Sequence, residues 1–93
     1  MIVYRIVYAI RGRLRFLSHK ELMRVMVRAF RRAGMPLAYS QGYHPHPRIS
    51  YGPPRSVGMA GLAEELDVTL TRALSCAEVR RRVADELPRG MRI

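Results

Sequence analysis

An α+β domain, with an antiparallel sheet covered on one face by two helices, is the fold class this sequence predicts. Three features carry that reading. The apolar residues keep a period of two from Met1 to Arg11 and again from Leu66 to Thr71. Two stretches of helical period each open on a serine with a glutamate three residues later. Strand and helix signals alternate as strand, helix, strand, strand, helix, strand.

Taken in order, Ile2, Tyr4, Ile6, Tyr8 and Ile10 share one parity, and Val3, Arg5, Val7 and Ala9 share the other, as in a half-buried strand. The bulkier parity should face the core, leaving Val3 and Val7 partly bare on the face turned from the helices. Gly12 breaks this strand. Arg13 to Phe16 resume the period of two and read as a bend or short hairpin arm leading to Ser18.

Ser18 and Glu21 have the spacing of a capping box, in which the hydroxyl accepts an orphan amide and the carboxylate reaches back. The helix it opens carries Leu22, Met26, Ala29, Phe30 and Ala33 on one apolar stripe. Gly34 and Pro36 supply the stop, so the helix should end near residue 33. Lys20, Arg24, Arg28, Arg31 and Arg32 form a basic face about three turns long, and no acidic residue after Glu21 relieves it.

Leu37 to Ser40 and Arg48 to Tyr51 are candidate short strands, separated by a loop, Gln41 to Pro47, that can continue neither. Pro53-Pro54, Gly58 and Gly61 keep the following stretch irregular. Leu66, Val68 and Leu70 then alternate with Asp67, Thr69 and Thr71 as a strand with one wet face. Ser75 and Glu78 read as a second capping box. The helix after it carries Val79, Val83 and Leu87 at steps of four, with Arg80, Arg81 and Arg82 beside Asp85 and Glu86 as i,i+4 partners, and Pro88 and Gly90 end it. Met91 to Ile93 start a last, truncated strand, so the chain is expected to be the N-terminal part of a longer protein. This element order is the split β-α-β pattern of ferredoxin-like domains (βαββαβ).

With 93 residues, 48% of them apolar, the chain supports one modest core and a single domain spanning residues 1–93. Lys plus Arg total 17 against 7 Asp plus Glu, a formal net charge of +10 that calls for a partner of opposite sign. The charge is segregated. Residues 1–63 hold 11 basic side chains and one acidic one, whereas residues 64–93 hold six of each. Codon bias in a genome rich in G and C would favour arginine over lysine without producing that segregation. Cys76 is the single cysteine, which excludes an intrachain disulfide and an all-cysteine metal or cluster site built by this chain alone. Arg5 interrupts the apolar opening run, so neither a signal peptide nor a membrane span is expected, and the cytoplasm is the predicted compartment. No GxGxxG, P-loop, HExxH, CxxxCxxC or serine-elbow pattern occurs.

The least generic segment runs from Ala38 to Gly52, where Tyr39, Tyr43 and Tyr51, His44 and His46, and Arg48 crowd among glycines and prolines. Proline after each histidine favours extended backbone, so residues two apart point the same way and His44 and His46 can converge. Three chemistries fit such a pair. With His19 folded back, three imidazoles could hold a metal. A histidine could act as general acid or base on a ribose 2′-hydroxyl, with arginines stabilising the phosphorane. The third is recognition of unpaired RNA, with tyrosines and histidines stacking on bases while Arg48 takes a phosphate. A packed loop with idle histidines is the fourth, inert, alternative. The RNA-recognition sheet motif is not matched, because Tyr4 and Tyr8 lie on the core-facing parity.

The runs Arg15-Phe16-Leu17-Ser18-His19, Leu22-Met23-Arg24, Arg31 to Pro36 and Ala38 to Gly52 resemble the radical-SAM-linked protein family, a domain of unknown function encoded beside or fused to a radical SAM protein. The resemblance covers nearly the whole chain. It implies a radical SAM protein as partner and a setting near genes for an RNA-cleaving enzyme and ribosomal proteins. Members of that family usually extend well past this length. Asparagine often stands where His44 does, which weighs against a metal or nuclease role there. The expected function is an RNA-binding or substrate-presenting accessory domain for a radical SAM enzyme, without cofactor, metal or catalytic residue of its own. Arg24, Arg28, Arg31, Arg32 and Arg48 would take phosphates, and Tyr43 with His44 or His46 would take bases. A protein-interaction module docking on the radical SAM partner without nucleic acid is the competing class.

Overall fold

A computed structural model describes residues 1–53, 58 and 61–93 of the chain; the part of the predicted irregular stretch around Pro54 lies outside them. The elements are β1 (Ile2–Ile10), a 3-10 turn (Gly12–Phe16), α1 (His19–Arg32), β2 (Ile49–Tyr51), β3 (Gly61–Leu70), α2 (Cys76–Ala84) and β4 (Met91–Arg92). The strands form one antiparallel sheet in the order β2-β3-β1-β4, the ferredoxin-like arrangement.

Parity in β1 follows the alternation of its sequence. Ile6, Tyr8 and Ile10 are buried, while Val3 and Val7 are 61% and 48% exposed. On β3, Leu66, Val68 and Leu70, which pair with Ile6, Tyr4 and Ile2, are buried in the same cluster as Leu22, Met26 and Phe30 of α1 and Val79 and Val83 of α2. Both helices therefore cover one face of the sheet, and Val3 and Val7 lie on the other. The Tyr4 hydroxyl donates to the Leu74 carbonyl at 2.6 Å and accepts from the Leu74 amide at 2.8 Å, tying the chain that enters α2 to β1.

α1 begins and ends on local signals. The Ser18 hydroxyl accepts from the Glu21 amide and the Glu21 carboxylate accepts from the Ser18 amide, a complete capping box. At the other end the Met35 amide donates to the Phe30 carbonyl and the Gly34 amide to that of Arg31, each at 3.1 Å. That is a Schellman stop with Gly34 at φ 68° and buried Met35 and Phe30 at its two apolar positions.

Five local expectations give way. Arg13 to Phe16 form part of a 3-10 turn rather than a hairpin arm, since Gly12 at φ 65° turns the chain before any pairing starts. Leu37 to Ser40 make only isolated bridges, Leu37 to Leu70 and Tyr39 to Pro47. The segment leaves β3 after one contact to pair with the returning limb of its own loop. Around the second helix start, the Ser75 hydroxyl accepts from the Glu78 amide, but the Glu78 carboxylate binds Arg81 and Arg82, each at 2.7 Å. A charged partner one turn away outcompetes a neutral backbone amide. This also replaces the predicted pairing with Asp85 and Glu86, and it keeps glutamate N-terminal to arginine, the favourable order on a helix. Lastly, β3 starts at Gly61, so irregular chain ends sooner than predicted.

β4 pairs with β1 only at Ala9 and Ile10. Gly90, at φ 99°, lets the chain enter β4 beside Arg11, whose amide donates to the Gly90 carbonyl at 2.7 Å. A Cβ there would lie 2.6 Å from the Arg11 carbonyl oxygen.

Candidate nucleic-acid interface

α1 is a helix of three rows. Leu22, Met26 and Phe30 form the buried row on the sheet. Lys20, Arg24, Arg28 and Arg32, spaced four apart, form an exposed cationic row that Arg31 broadens. Between the two, on the side facing the β2 edge, Met23 and Val27 are half-buried. They do not join the core cluster. Instead they line a groove of about 800 Å³ between α1 and the loop and strand ending in β2, with Lys20, Arg24, Arg28, Arg31 and Arg32 on one flank and His46, Pro47, Ile49 and Tyr51 on the other.

Among the described residues no carboxylate lines this groove. Among the described residues the carboxylates of the C-terminal third that form ion pairs turn elsewhere: Asp67 holds Arg5 at 3.0 Å and Glu78 holds Arg81 and Arg82. These contacts hold both carboxyls below their ordinary range, through the hydrogen bond from Arg5 for Asp67 and those from Arg81 and Arg82 for Glu78. A second concavity of about 560 Å³, lined by Tyr4, Ile6, Val79 and Ile93 with Arg5, Arg80 and Arg81, has two of its three arginines held in ion pairs. The α1 groove is thus the larger free cationic surface.

β2 reaches the groove by the alternation of a strand. Ile49 and Tyr51 face the helix layer and pack against the core, and exposed Ser50 faces away. His19 of α1 sets its ring edge-on to Tyr51 with centroids 5.3 Å apart. The Tyr51 hydroxyl is buried without a hydrogen-bond partner among the described residues, and burial, with a smaller contribution from Tyr8, pushes its pKa up to about 12.

The loop before β2 is a small hairpin. The Ser40 amide donates to the His46 carbonyl at 2.8 Å, the His46 amide to the Ser40 hydroxyl at 3.0 Å, and the Arg48 amide to the Ala38 carbonyl at 2.8 Å. Tyr43 stands at its tip, 99% exposed, with His44 exposed beside it. The predicted residues are therefore divided. Arg24, Arg28, Arg31, Arg32 and His46 meet in the groove, whereas Tyr43, His44 and Arg48 are not among its lining. Arg48 precedes β2 with the parity of Ser50, the face turned from the helices. His19, which the metal reading folds back toward the loop, instead packs on Tyr51. Among the described residues no group of three His, Cys, Asp or Glu is placed to hold a metal ion.

Met23, Val27 and Ile49 escape a reading that looks for polar and aromatic residues alone. Their signal was present in the helical wheel, where Met23 and Val27 repeat at four between the core row and the arginines.

Fold and site together define a small ferredoxin-like domain that carries a cationic groove on its first helix. By sequence the chain belongs to the family described as uncharacterized protein conserved in bacteria (DUF2344), which matches residues 3–93. Comparison with curated proteins and with solved structures found no match. No helix among the described residues is long and apolar enough to cross a membrane.

Proposed function

We propose that this domain binds RNA through the α1 groove and presents it to a radical SAM enzyme as an accessory domain. The observation that carries the reading is five cationic side chains lining one groove with no carboxylate among its lining residues. Four of them are arginines, whose planar forks suit phosphate oxygens. Like charges at i,i+4 spacing destabilise a free helix, so an anionic ligand that relieves them gains affinity from the repulsion it removes. The radical SAM partner rests on the resemblance of the Arg15 to Gly52 motifs, and the family description names no partner.

Fluorescence anisotropy with a labelled single-stranded oligoribonucleotide tests the reading. Neutralising four phosphates gives a slope of about −3 for log affinity against log salt. Arg28→Glu combined with Arg32→Glu is expected to abolish binding while circular dichroism stays native. Unchanged binding by the folded double variant would defeat the proposal.

A protein-docking role has one observation in its favour. β1 has no neighbouring strand beyond Ala9 on its β4 side among the described residues, and Val3 and Val7 are exposed on that strand. Docking on a protein would keep shape specificity at high salt, where phosphate binding fades.

A further inference from the structure

The groove is cationic on one flank only, and its floor is apolar. Met23 and Val27 bring half-buried side chains to it that the core does not use, while Ile49, Tyr51 and Pro47 close it from the β2 side. His19 packs edge-on against the Tyr51 ring, with centroids 5.3 Å apart. A surface meant for phosphates alone has no use for this floor. In a duplex the base faces are stacked on one another, and the floor would meet ribose, phosphate and polar base edges. An unpaired strand offers both what the arginine row needs and what the floor needs, with phosphates along Arg24, Arg28 and Arg31 and base faces turned inward. A peptide of acidic residues alone satisfies the row but brings no apolar face to the floor.

We infer that the ligand is an unpaired RNA stretch whose bases sit on Met23, Val27, Ile49 and Tyr51, in place of the hairpin-tip Tyr43 and His44. The inference rests on the RNA reading of the same groove and specifies what that reading leaves open. Tyr43 is 99% exposed at the hairpin tip, outside the groove lining, and its truncation should leave affinity within about twofold.

The test is direct binding by the full chain of four probes: single-stranded polyuridylate, the same strand annealed to polyadenylate, inorganic polyphosphate of matched charge, and polyglutamate. Polyuridylate is expected to bind roughly tenfold more tightly than each of the others at 150 mM salt. Met23→Ala with Val27→Ala, substitutions that favour helix and spare the core, should weaken polyuridylate about tenfold and leave polyphosphate unchanged. Equal affinity for duplex, polyphosphate or polyglutamate overturns the inference while leaving a polyanion site. So does polyuridylate binding that the alanine pair does not alter. Failure of every probe to bind instead removes the RNA reading and this inference with it.

Discussion

At the scale of single residues, two kinds of titrating group set opposite ends of the stability profile. Tyr51 has its pKa raised from 10.0 to about 12 because burial disfavours the phenolate. Its contribution is therefore full below the unfolded value and lost as pH rises through the folded one. Thermal melts should fall between about pH 10 and pH 12, and Tyr51→Phe should flatten that fall. Because the hydroxyl lacks a partner among the described residues, the same variant should gain roughly 1 kcal/mol at neutral pH, the low end of the cost of an unmade buried hydrogen bond. The carboxylates behave in reverse. Glu21, held low chiefly by the Ser18 amide, and Asp67 and Glu78, held low by arginines, contribute stability above their ordinary values of 4.5, 3.8 and 4.5. That contribution is lost as pH falls through their depressed values. Ser18→Ala should cost about 1 kcal/mol in urea unfolding at neutral pH. It should also raise the pH at which acid unfolding begins, since Glu21 loses the hydroxyl that lowers its pKa.

The elements differ in how much of themselves they carry in sequence. α1 is legible at both ends because a capping box and a Schellman stop involve only residues within one or two turns of each end. β2 is legible as a run, Arg48 to Tyr51, but not as a partner, because whether Leu37 to Ser40 or Ile49 to Tyr51 lies beside β3 depends on a register chosen across the sheet. Two glycines separate local from tertiary demands. Gly34→Ala places its Cβ in open space and should cost only the left-handed conformation, about 1 kcal/mol. Gly90→Ala drives Cβ against the Arg11 carbonyl and should cost at least twice as much. Hydrogen exchange at the Arg11 amide, which donates to Gly90, should rise in the second variant and stay protected in the first.

For the molecule as a whole, a net charge of +10 that sequence locates in the first 63 residues becomes directional only after folding. Asp67 pairs with Arg5 and Glu78 is shared by Arg81 and Arg82, and the α1 row keeps its field. A surface of this kind raises association rates and makes them fall with ionic strength. Arg28→Glu with Arg32→Glu also relieves repulsion along the helix. A carboxylate at position 32, in the last turn of α1, opposes the helix dipole and offsets that gain, so calorimetry should find the variant folded and within about 1 kcal/mol of the parent. Loss of binding in that variant would then report lost phosphate contacts rather than a lost fold.

The amino-acid sequence alone determined the helix α1, its limits, the parity of β1 and β3 and the unrelieved row of arginines, since each rests on contacts within a few residues or on a simple period. Only the tertiary structure decided which candidates share a surface. It brought His46 to the arginines, left Tyr43 at a hairpin tip and Arg48 outside the groove, and closed the floor with Ile49 and Tyr51. Those neighbours are joined across more than a dozen residues of chain, and their meeting depends on strand register and helix packing, which no local pattern encodes.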